Sequence, residues 1–236
     1  MERDGADRKF IEATRAKALF LCLDGLRFAC GICMASYDRA LTRFRTFETS
    51  EILAAGAPAH DVLLAVADIW NVVDATNRIR TLVQRAPHLK RVSPEVEMFL
   101  RATTDVETMR NYMQHINQEI SELPTPSTPL FGSISWQTAA DPAAYISLLT
   151  GSKHIQYSVV GLVYDRLESR FVRPFELVVG KVILDVDDTV RRVRRLNELL
   201  TAWTATFELG DGERYVYQPD VVPVIMTTVQ PAGSSR

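Results

Sequence analysis

The sequence predicts a mainly α-helical protein of four long helices, with a small antiparallel β-sheet inserted before the last helix. Three observations predict this class. Apolar residues recur at helical spacing through three long stretches that contain proline, if at all, only at their starts. Prolines at positions 124, 126 and 129 then preclude a helix, and the pattern behind them changes to strand-like alternation. A helical period returns after Asp188.

The chain has 236 residues, of which 47% are hydrophobic, and it can therefore bury a substantial core as one domain spanning 1–236. The expected organisation is three long helices over 8–123, a Pro-rich linker and β-rich insertion over 124–184, a fourth helix over 185–210, and a C-terminal tail over 211–236.

The first helix is expected from Arg8 to Glu48, which contains no proline. Its most apolar part, residues 16–35, is interrupted by charged side chains that are costly in hydrocarbon: Lys17, Asp24 and Arg27. We therefore expect a buried amphipathic helix and no membrane partner.

Proline and capping residues set the bounds of the next two helices. Pro58 fits the first turn of the second helix, which is expected to run to Arg85. Ser93 is a good N-cap and Pro94 suits the first position of the third helix, which is expected to continue to Leu123.

Three segments favour strands, namely Phe131–Trp136, Tyr157–Tyr164 and Phe171–Leu184, the last as one or two strands. Together they predict a small antiparallel sheet. Asp187 or Asp188 is then expected to cap a fourth helix over Thr189–Leu209.

The net charge leaves the class of partner open, whereas the cysteines and the N-terminus bear on the cellular compartment. The net charge of −2 neither supports nor excludes a nucleic-acid partner, because such binding needs a basic face and not a basic total. The three cysteines, Cys22, Cys30 and Cys33, form no spaced framework, and the charged N-terminus matches neither a secretory signal nor a transit peptide. We expect a cytoplasmic protein.

We expect neither a metal nor a cofactor. Cys30 and Cys33 have redox or zinc spacing, but they lie mid-helix among apolar residues and favour buried thiols. His60, His88 and His154 show no mutual spacing that would assemble a metal site.

The third helix carries an unusual polar face. Helical spacing gathers one apolar arc, made of Met109, Tyr112, Met113, Ile116 and Ile120. Beside it lies a polar arc, made of Asn111, Gln114, His115 and Gln118, with Arg110 at its border. Amides, a histidine and an arginine suit a partly desolvated surface, which is either a hydrogen-bonded contact inside the bundle or a functional cleft.

Residues Met109–Ile120 resemble the signature of the HEPN superfamily (higher eukaryotes and prokaryotes nucleotide-binding domains). That signature is an arginine, a polar residue that is often asparagine, a few variable positions and a histidine, which Arg110, Asn111 and His115 match. The resemblance implies a HEPN-like helical bundle that cleaves RNA without metal, at a site formed where two copies of the motif meet across a homodimer. The β-rich stretch is not part of a minimal bundle of this kind.

The roles implied by the resemblance are chemically reasonable. Histidine, with an ordinary pKa of about 6.5, suits His115 to proton transfer, and Arg110 offers a fixed charge for phosphate oxygens. Asn111 would orient His115 or the phosphate. Such a ribonuclease suits a toxin or defence role, with an antitoxin or other protein partner. The alternative is a non-catalytic module that binds RNA, a nucleotide or a protein through the same face.

Two further sets of residues are candidates for supporting roles. A polar line on the second helix would either position the Arg110–His115 surface or form an interhelical network that only fixes packing. The line consists of Asp68, Asn71, Asp74 and Arg78. Gln114 and Gln118 of the third helix would support the same surface. A basic cluster, Arg191, Arg192, Arg194 and Arg195, is either a solvated helix face or a binding site for RNA phosphate.

Residues Val182–Val190 resemble the first motif of the haloacid dehalogenase superfamily, an apolar strand followed by Asp185, Asp187 and Thr189. That family uses the first aspartate as a nucleophile with Mg²⁺ and takes further acids and a lysine from later strands. Only about fifty residues follow here, and no lysine follows Lys181. A strand that ends at Asp185, with aspartates capping the next helix, explains the segment more simply.

Overall fold

A computed structural model describes residues 2–49, 52, 57–86, 89, 93–116, 129–151 and 161–205. Several expectations lie outside these residues: the linker at 124–128, the continuation of the third helix beyond Ile116, the 157–160 part of the second strand segment, and the tail at 211–236. Within the described residues the chain is mainly helical, with a small antiparallel sheet before the last helix, as predicted.

The helices are α1 (Glu2–Thr46), α2 (Ala59–Arg85), α3 (Pro94–Ala102), α4 (Thr104–Gln114) and α5 (Val186–Thr204). The predictions for the first two helices are confirmed, except that Pro58 is the N-cap of α2 and not part of its first turn.

The contact between α1 and α2 forms the main core. Leu23, Leu26, Cys30, Ile69 and Val73 are almost fully buried in it. Gly25 permits the close approach of the two helices, since a Cβ atom there would meet the Leu82 side chain at 3.0 Å. The helices are also joined by two ion pairs, from Arg39 and Arg43 of α1 to the buried Asp68 carboxylate of α2.

The long α1 has one buried side and one exposed apolar side. By length and composition alone, its Lys17–Thr46 part could cross a membrane. Leu21, Phe28 and Ile32 are 63%, 43% and 48% exposed, respectively. The prediction of a buried amphipathic helix therefore describes only the side that faces α2.

The third predicted helix is broken in two, and the prediction of one continuous helix is wrong. Ser93 caps α3 as predicted, its Oγ accepting from the Glu95 N–H at 3.1 Å, but α3 ends at Ala102. Thr103 separates α3 from α4 with φ −106° and ψ 21°. The second segment ends at Gln114, so that His115 is its C-cap and not an interior helical residue.

The buried guanidinium of Arg80 on α2 explains this break. Its Nη1 donates to the Leu100 carbonyl and, at 2.8 Å, to Thr103 Oγ1, while Nη2 lies 2.9 Å from Glu107 Oε2 on α4. The Leu100 carbonyl would be the partner of the Thr104 N–H in a continuous helix. Arg80 thus takes the place of a backbone donor at the break and joins α2 to both segments.

The short strands are β1 (Ser133–Gln137), β2 (Tyr145–Leu149), β3 (Tyr164–Asp165), β4 (Arg170–Phe171), β5 (Phe175–Val179) and β6 (Val182–Asp185). Four of them form an antiparallel sheet in the order β2-β1-β5-β6, and β3 pairs with β4 as a separate hairpin. One or two strands were predicted over Phe171–Leu184, and the structure has two there, β5 and β6. The edge strand β2, which is not fully buried, was not predicted from the sequence.

One face of the sheet packs on α1 through aromatic side chains. The Phe44 ring lies 4.5 Å from Trp136 and 5.4 Å from Phe175, measured between centroids. Ile134 and Leu177 complete this buried face. The sheet therefore shares the helical core.

The opposite face of the sheet buries a carboxyl group. Glu176 is 2% exposed and pairs in register with Ser135 on one side and Asp185 on the other. Its Oε2 lies 3.7 Å from Arg173 Nη1, and its Oε1 has no hydrogen-bond partner among the described residues. Burial raises the pKa of this carboxyl above its ordinary value.

The last helix begins earlier than predicted, and its cap is a different aspartate. Asp185 is the N-cap of α5, and its Oδ1 accepts from the Asp188 N–H at 2.8 Å. The expected cap, Asp187 or Asp188, instead lies within the first turn.

Replacing Arg80 by methionine should destabilise the protein by about 2–4 kcal/mol, because the Leu100 carbonyl and Thr103 hydroxyl lose a donor and Glu107 loses its partner. Denaturant unfolding measures the change. Arg101→Met is the matched control, since Arg101 is 82% exposed in an ion pair with Glu97, and it should change stability by less than about 0.5 kcal/mol. Equal effects of the two substitutions would contradict the role of Arg80.

Glu176→Gln should stabilise the protein increasingly as the pH rises. A carboxyl whose folded-state pKa is raised contributes stability below its ordinary pKa, and this contribution is lost as the pH rises through the raised folded-state pKa. The amide avoids that loss. Unfolding of the wild type and the variant from pH ~4 to ~8 measures the difference, with the exposed Glu168→Gln as control. A difference independent of pH would contradict the argument.

Candidate functional site

The candidate site lies on α4 and on the side of α2 that faces it. Arg110 extends toward α2, where its Nε lies 3.4 Å from Asp74 Oδ1. The same carboxylate accepts from Arg78, whose Nε and Nη2 lie 3.0 Å and 2.8 Å from Asp74 Oδ2. One carboxylate is thus shared by two guanidinium groups, and the three side chains carry a net charge of +1.

Three further residues of the predicted polar arc are exposed to solvent. Asn111, Gln114 and His115 are exposed. Within the described part of the chain, the side chains of Asn111 and His115 make no hydrogen bond or ion pair. The backbone N–H of His115, the C-cap residue, donates to the Asn111 carbonyl at 3.0 Å and to the Tyr112 carbonyl at 3.2 Å.

A single chain does not aim Arg110 and His115 in the same direction. Five residues on an α-helix correspond to a rotation of roughly 140° and a rise of roughly 7.5 Å. Arg110 therefore lies on the α2 side of α4, whereas His115 lies on the outer side with Asn111 as its neighbour one turn earlier.

Arg110 also lines a large cavity between α2, α4 and the sheet. The cavity has a volume of about 790 Å³ and is mainly apolar, with Trp70, Met113 and Phe131 among its walls. The indole Nε1 of Trp70 donates to the Phe131 carbonyl at 3.2 Å, which connects α2 to the segment before β1. Asn111 and His115 do not line this cavity.

The predicted supporting line on α2 divides between two places. Asn71 lines the cavity with Gln114, and Asp74 and Arg78 lie beside Arg110. Asp68 does not face this surface, because its carboxylate is bound by the α1 arginines. For Asp68 the structure therefore favours the alternative of an interhelical packing network. Gln118 lies outside the described residues.

The basic cluster on α5 forms ion pairs. Arg191 and Arg192 bind Asp188, Arg194 binds Asp38 of α1 at 3.0 Å, and Arg195 binds Glu95 of α3 at 2.9 Å. The last two contacts join α5 to α1 and α3, and none of the four arginines lines the cavity beside Arg110.

The three aspartates of the dehalogenase-like segment have structural partners. Asp185 caps α5, Asp187 accepts a hydrogen bond from the Tyr37 hydroxyl, and Asp188 binds the two arginines. Burial raises the pKa of Asp187, and the Tyr37 hydrogen bond opposes this effect. The contact of Asp187 with Tyr37 joins α5 to α1.

The remaining candidate ligands are dispersed. In the part of the chain that the structure describes, no group of three or more His, Cys, Asp or Glu side chains could hold a metal ion. His60 is exposed at the start of α2, and His88 and His154 lie outside the described residues. Cys30 and Cys33 are fully buried, and burial raises the pKa of the Cys33 thiol to about 11.

Sequence reasoning missed two features of the site. Arg80 lies between Thr76 and Val83 on the buried stripe of α2, at a position that helical spacing assigns to the core. An arginine at such a position is a sequence signal of a buried ion pair. The cavity has no such signal, because Phe131 and Thr150 reach it from the β-rich segment.

Comparisons with protein-family models, with curated proteins and with solved structures returned no match.

We expect the three thiols to differ sharply in reactivity. The half-buried Cys22 should react with DTNB in the folded protein at mildly alkaline pH, whereas Cys30 and Cys33 should react only after unfolding, because the reactive species is the exposed thiolate. Cys22→Ser should remove the fast phase. Three equal rates in the folded protein would contradict this placement.

Proposed function

We propose that this protein is a HEPN-like, metal-independent ribonuclease that acts as a homodimer. The observation that carries the proposal is the arrangement on α4, in which Arg110 shares one carboxylate with Arg78 while Asn111 and His115 are exposed on the outer side of the same helix. This combination supplies a cation and a proton-transfer group from one short helix.

The reaction is attack of a ribose 2′-oxygen on the adjacent phosphorus. The new P–O2′ bond forms as the P–O5′ bond breaks, which leaves a 2′,3′-cyclic phosphate and a 5′-hydroxyl. One proton leaves the 2′-hydroxyl and one reaches the departing 5′-oxygen, and His115 would carry out one of these transfers. Arg110 would stabilise the charge on the pentacoordinate phosphate. Asn111 would orient the His115 ring or the phosphate.

The angular separation of Arg110 and His115 supports a site made by two chains. Because the two side chains point roughly 140° apart on α4, a phosphate bound to Arg110 of one chain is better approached by His115 of another. Pairing two α4 helices would supply both groups to one phosphate.

The exposed apolar side of α1 supports self-association. Phe28 and Ile32 line a groove of about 540 Å³ between α1 and α2, which also includes Arg78 and Arg110. Exposed apolar surface of this kind marks interaction sites. A contact at this groove would bring a second chain next to Arg110.

Cleavage of labelled single-stranded RNAs in EDTA tests the activity. We expect Arg110→Ala and His115→Ala each to slow cleavage by at least about a hundredfold. The matched controls are Arg101→Ala on α3 and His60→Ala on α2, both exposed and outside the site, which should cleave like the wild type. Absence of cleavage by the wild type across varied RNAs would instead favour a non-catalytic binding module.

Mixing the two inactive variants tests the shared site. If Arg110 of one chain acts with His115 of the other, a mixture of Arg110→Ala and His115→Ala chains forms heterodimers that hold one intact pair. The mixture should therefore cleave RNA although neither variant does. An inactive mixture, with heterodimers verified by mass spectrometry, would place both groups in one chain.

A further inference from the structure

The cavity beside Arg110 has the composition of a small-molecule site. Its volume of about 790 Å³ lies within the range of ligand pockets, and its walls are mainly apolar. Its polar groups are few, and those outside the Asp74–Arg110 pair are the Asn71 amide, the Gln114 amide and the Thr150 hydroxyl. Such a site favours a ligand with an apolar body and a small number of hydrogen-bonding atoms.

We infer that this cavity binds an unstacked base of single-stranded RNA whose adjoining phosphate lies on Arg110. The inference rests on the proposed function, because it names the part of the substrate that flanks the reacting phosphate. A nucleobase has apolar faces and an edge that carries both donors and acceptors. Amide side chains provide both kinds of group, and aromatic walls stack on the faces of any base.

Trp70 is held in position before any ligand arrives. Its Nε1 donates to the Phe131 carbonyl, which fixes the indole against the segment that leads into β1. Because a side chain that is already ordered loses little entropy on binding, the indole is a suitable stacking surface. Phe131, which is 46% exposed, lies in the same wall.

The charge at the edge of the cavity selects an anion. Arg110 lies both in the cavity wall and in the shared ion pair with Asp74 and Arg78, whose net charge is +1. A phosphate at Arg110 would neutralise this charge, and its attached base would reach the apolar part of the cavity. A paired duplex does not offer an unstacked base, so the site selects single strands or loops.

Binding of a fluorescent, non-cleavable 2′-O-methyl oligonucleotide tests the inference separately from catalysis. Trp70→Leu keeps an apolar side chain in the cavity wall but removes the stacking surface, and it should weaken binding by about 5- to 100-fold. Asn71 is exposed, so its replacement should affect folding less than that of Trp70. Asn71→Ala should weaken binding by about 3- to 10-fold. The controls are Tyr164→Leu, an exposed aromatic residue outside the cavity, and Gln84→Ala, exposed on α2. Neither control should change binding.

Two further comparisons separate the base from the phosphate. An oligonucleotide with abasic positions should bind the wild type at least as weakly as the normal one binds Trp70→Leu, and Trp70→Leu should weaken the binding of the abasic oligonucleotide little further. Arg110→Ala should instead reduce the dependence of log K on log salt by about 0.7, the share of one single-strand phosphate contact, whereas Trp70→Leu should leave that slope unchanged.

The outcomes distinguish this inference from the proposed function. Cleavage and binding that are both unaffected by Trp70→Leu and Asn71→Ala would overturn the base site and leave the ribonuclease intact. Base-dependent binding that both variants weaken, without cleavage by the wild type, would support the base site and overturn the ribonuclease. Tight binding of an alkyl carboxylate such as laurate, without binding of the oligonucleotide, would overturn the base site in favour of a lipid.

Discussion

The buried guanidinium of Arg80 fixes the position of α4, and the candidate site depends on that position. A buried charge without partners costs several kcal/mol, so Arg80 must be satisfied where it lies. Its two Nη atoms find their partners where α3 and α4 separate, namely the Leu100 carbonyl, the Thr103 hydroxyl and the Glu107 carboxylate. Glu107 is one turn before Arg110. The contact that holds Glu107 against α2 therefore also brings Arg110 within reach of Asp74.

Three charged residues spaced six apart on α2 organise its neighbours. Six residues rotate an α-helix by roughly 240°, so Asp68, Asp74 and Arg80 leave the helix in three directions. Asp68 binds α1, Asp74 binds Arg110 and Arg78, and Arg80 binds the break between α3 and α4. Because each charge has its own partner, α2 supports both α1 and the candidate site. The apolar positions between them bury Ile69 and Val73 against α1.

Local patterns predicted the helices well and the contacts between them poorly. Helical spacing and capping residues are properties of neighbouring positions, which is why α1, α2 and the start of α3 were predictable. The break at Thr103 depends on Arg80, a side chain from another helix, and the segment 94–114 has no proline or glycine after its first residue to announce it. The line from Asp68 to Arg78 divides between two sets of partners for a geometric reason. Each step of three residues turns by roughly −60°, so Asp68 and Asp74 lie roughly 120° apart and meet different partners.

The shared carboxylate gives Arg110 a fixed direction without cancelling its charge. If Asp74 bound Arg110 alone, the pair would be neutral and would hold an anion weakly. Because Arg78 binds the other oxygen of Asp74, the group keeps a net charge of +1 at the edge of an apolar cavity, where the electrostatic attraction for a phosphate exceeds that in bulk water. Asn111 and His115, turned away by the pitch of the same helix, remain exposed for a second surface. In the proposed ribonuclease, this arrangement would separate anion binding, which one chain would complete within itself, from proton transfer, which a second chain would complete.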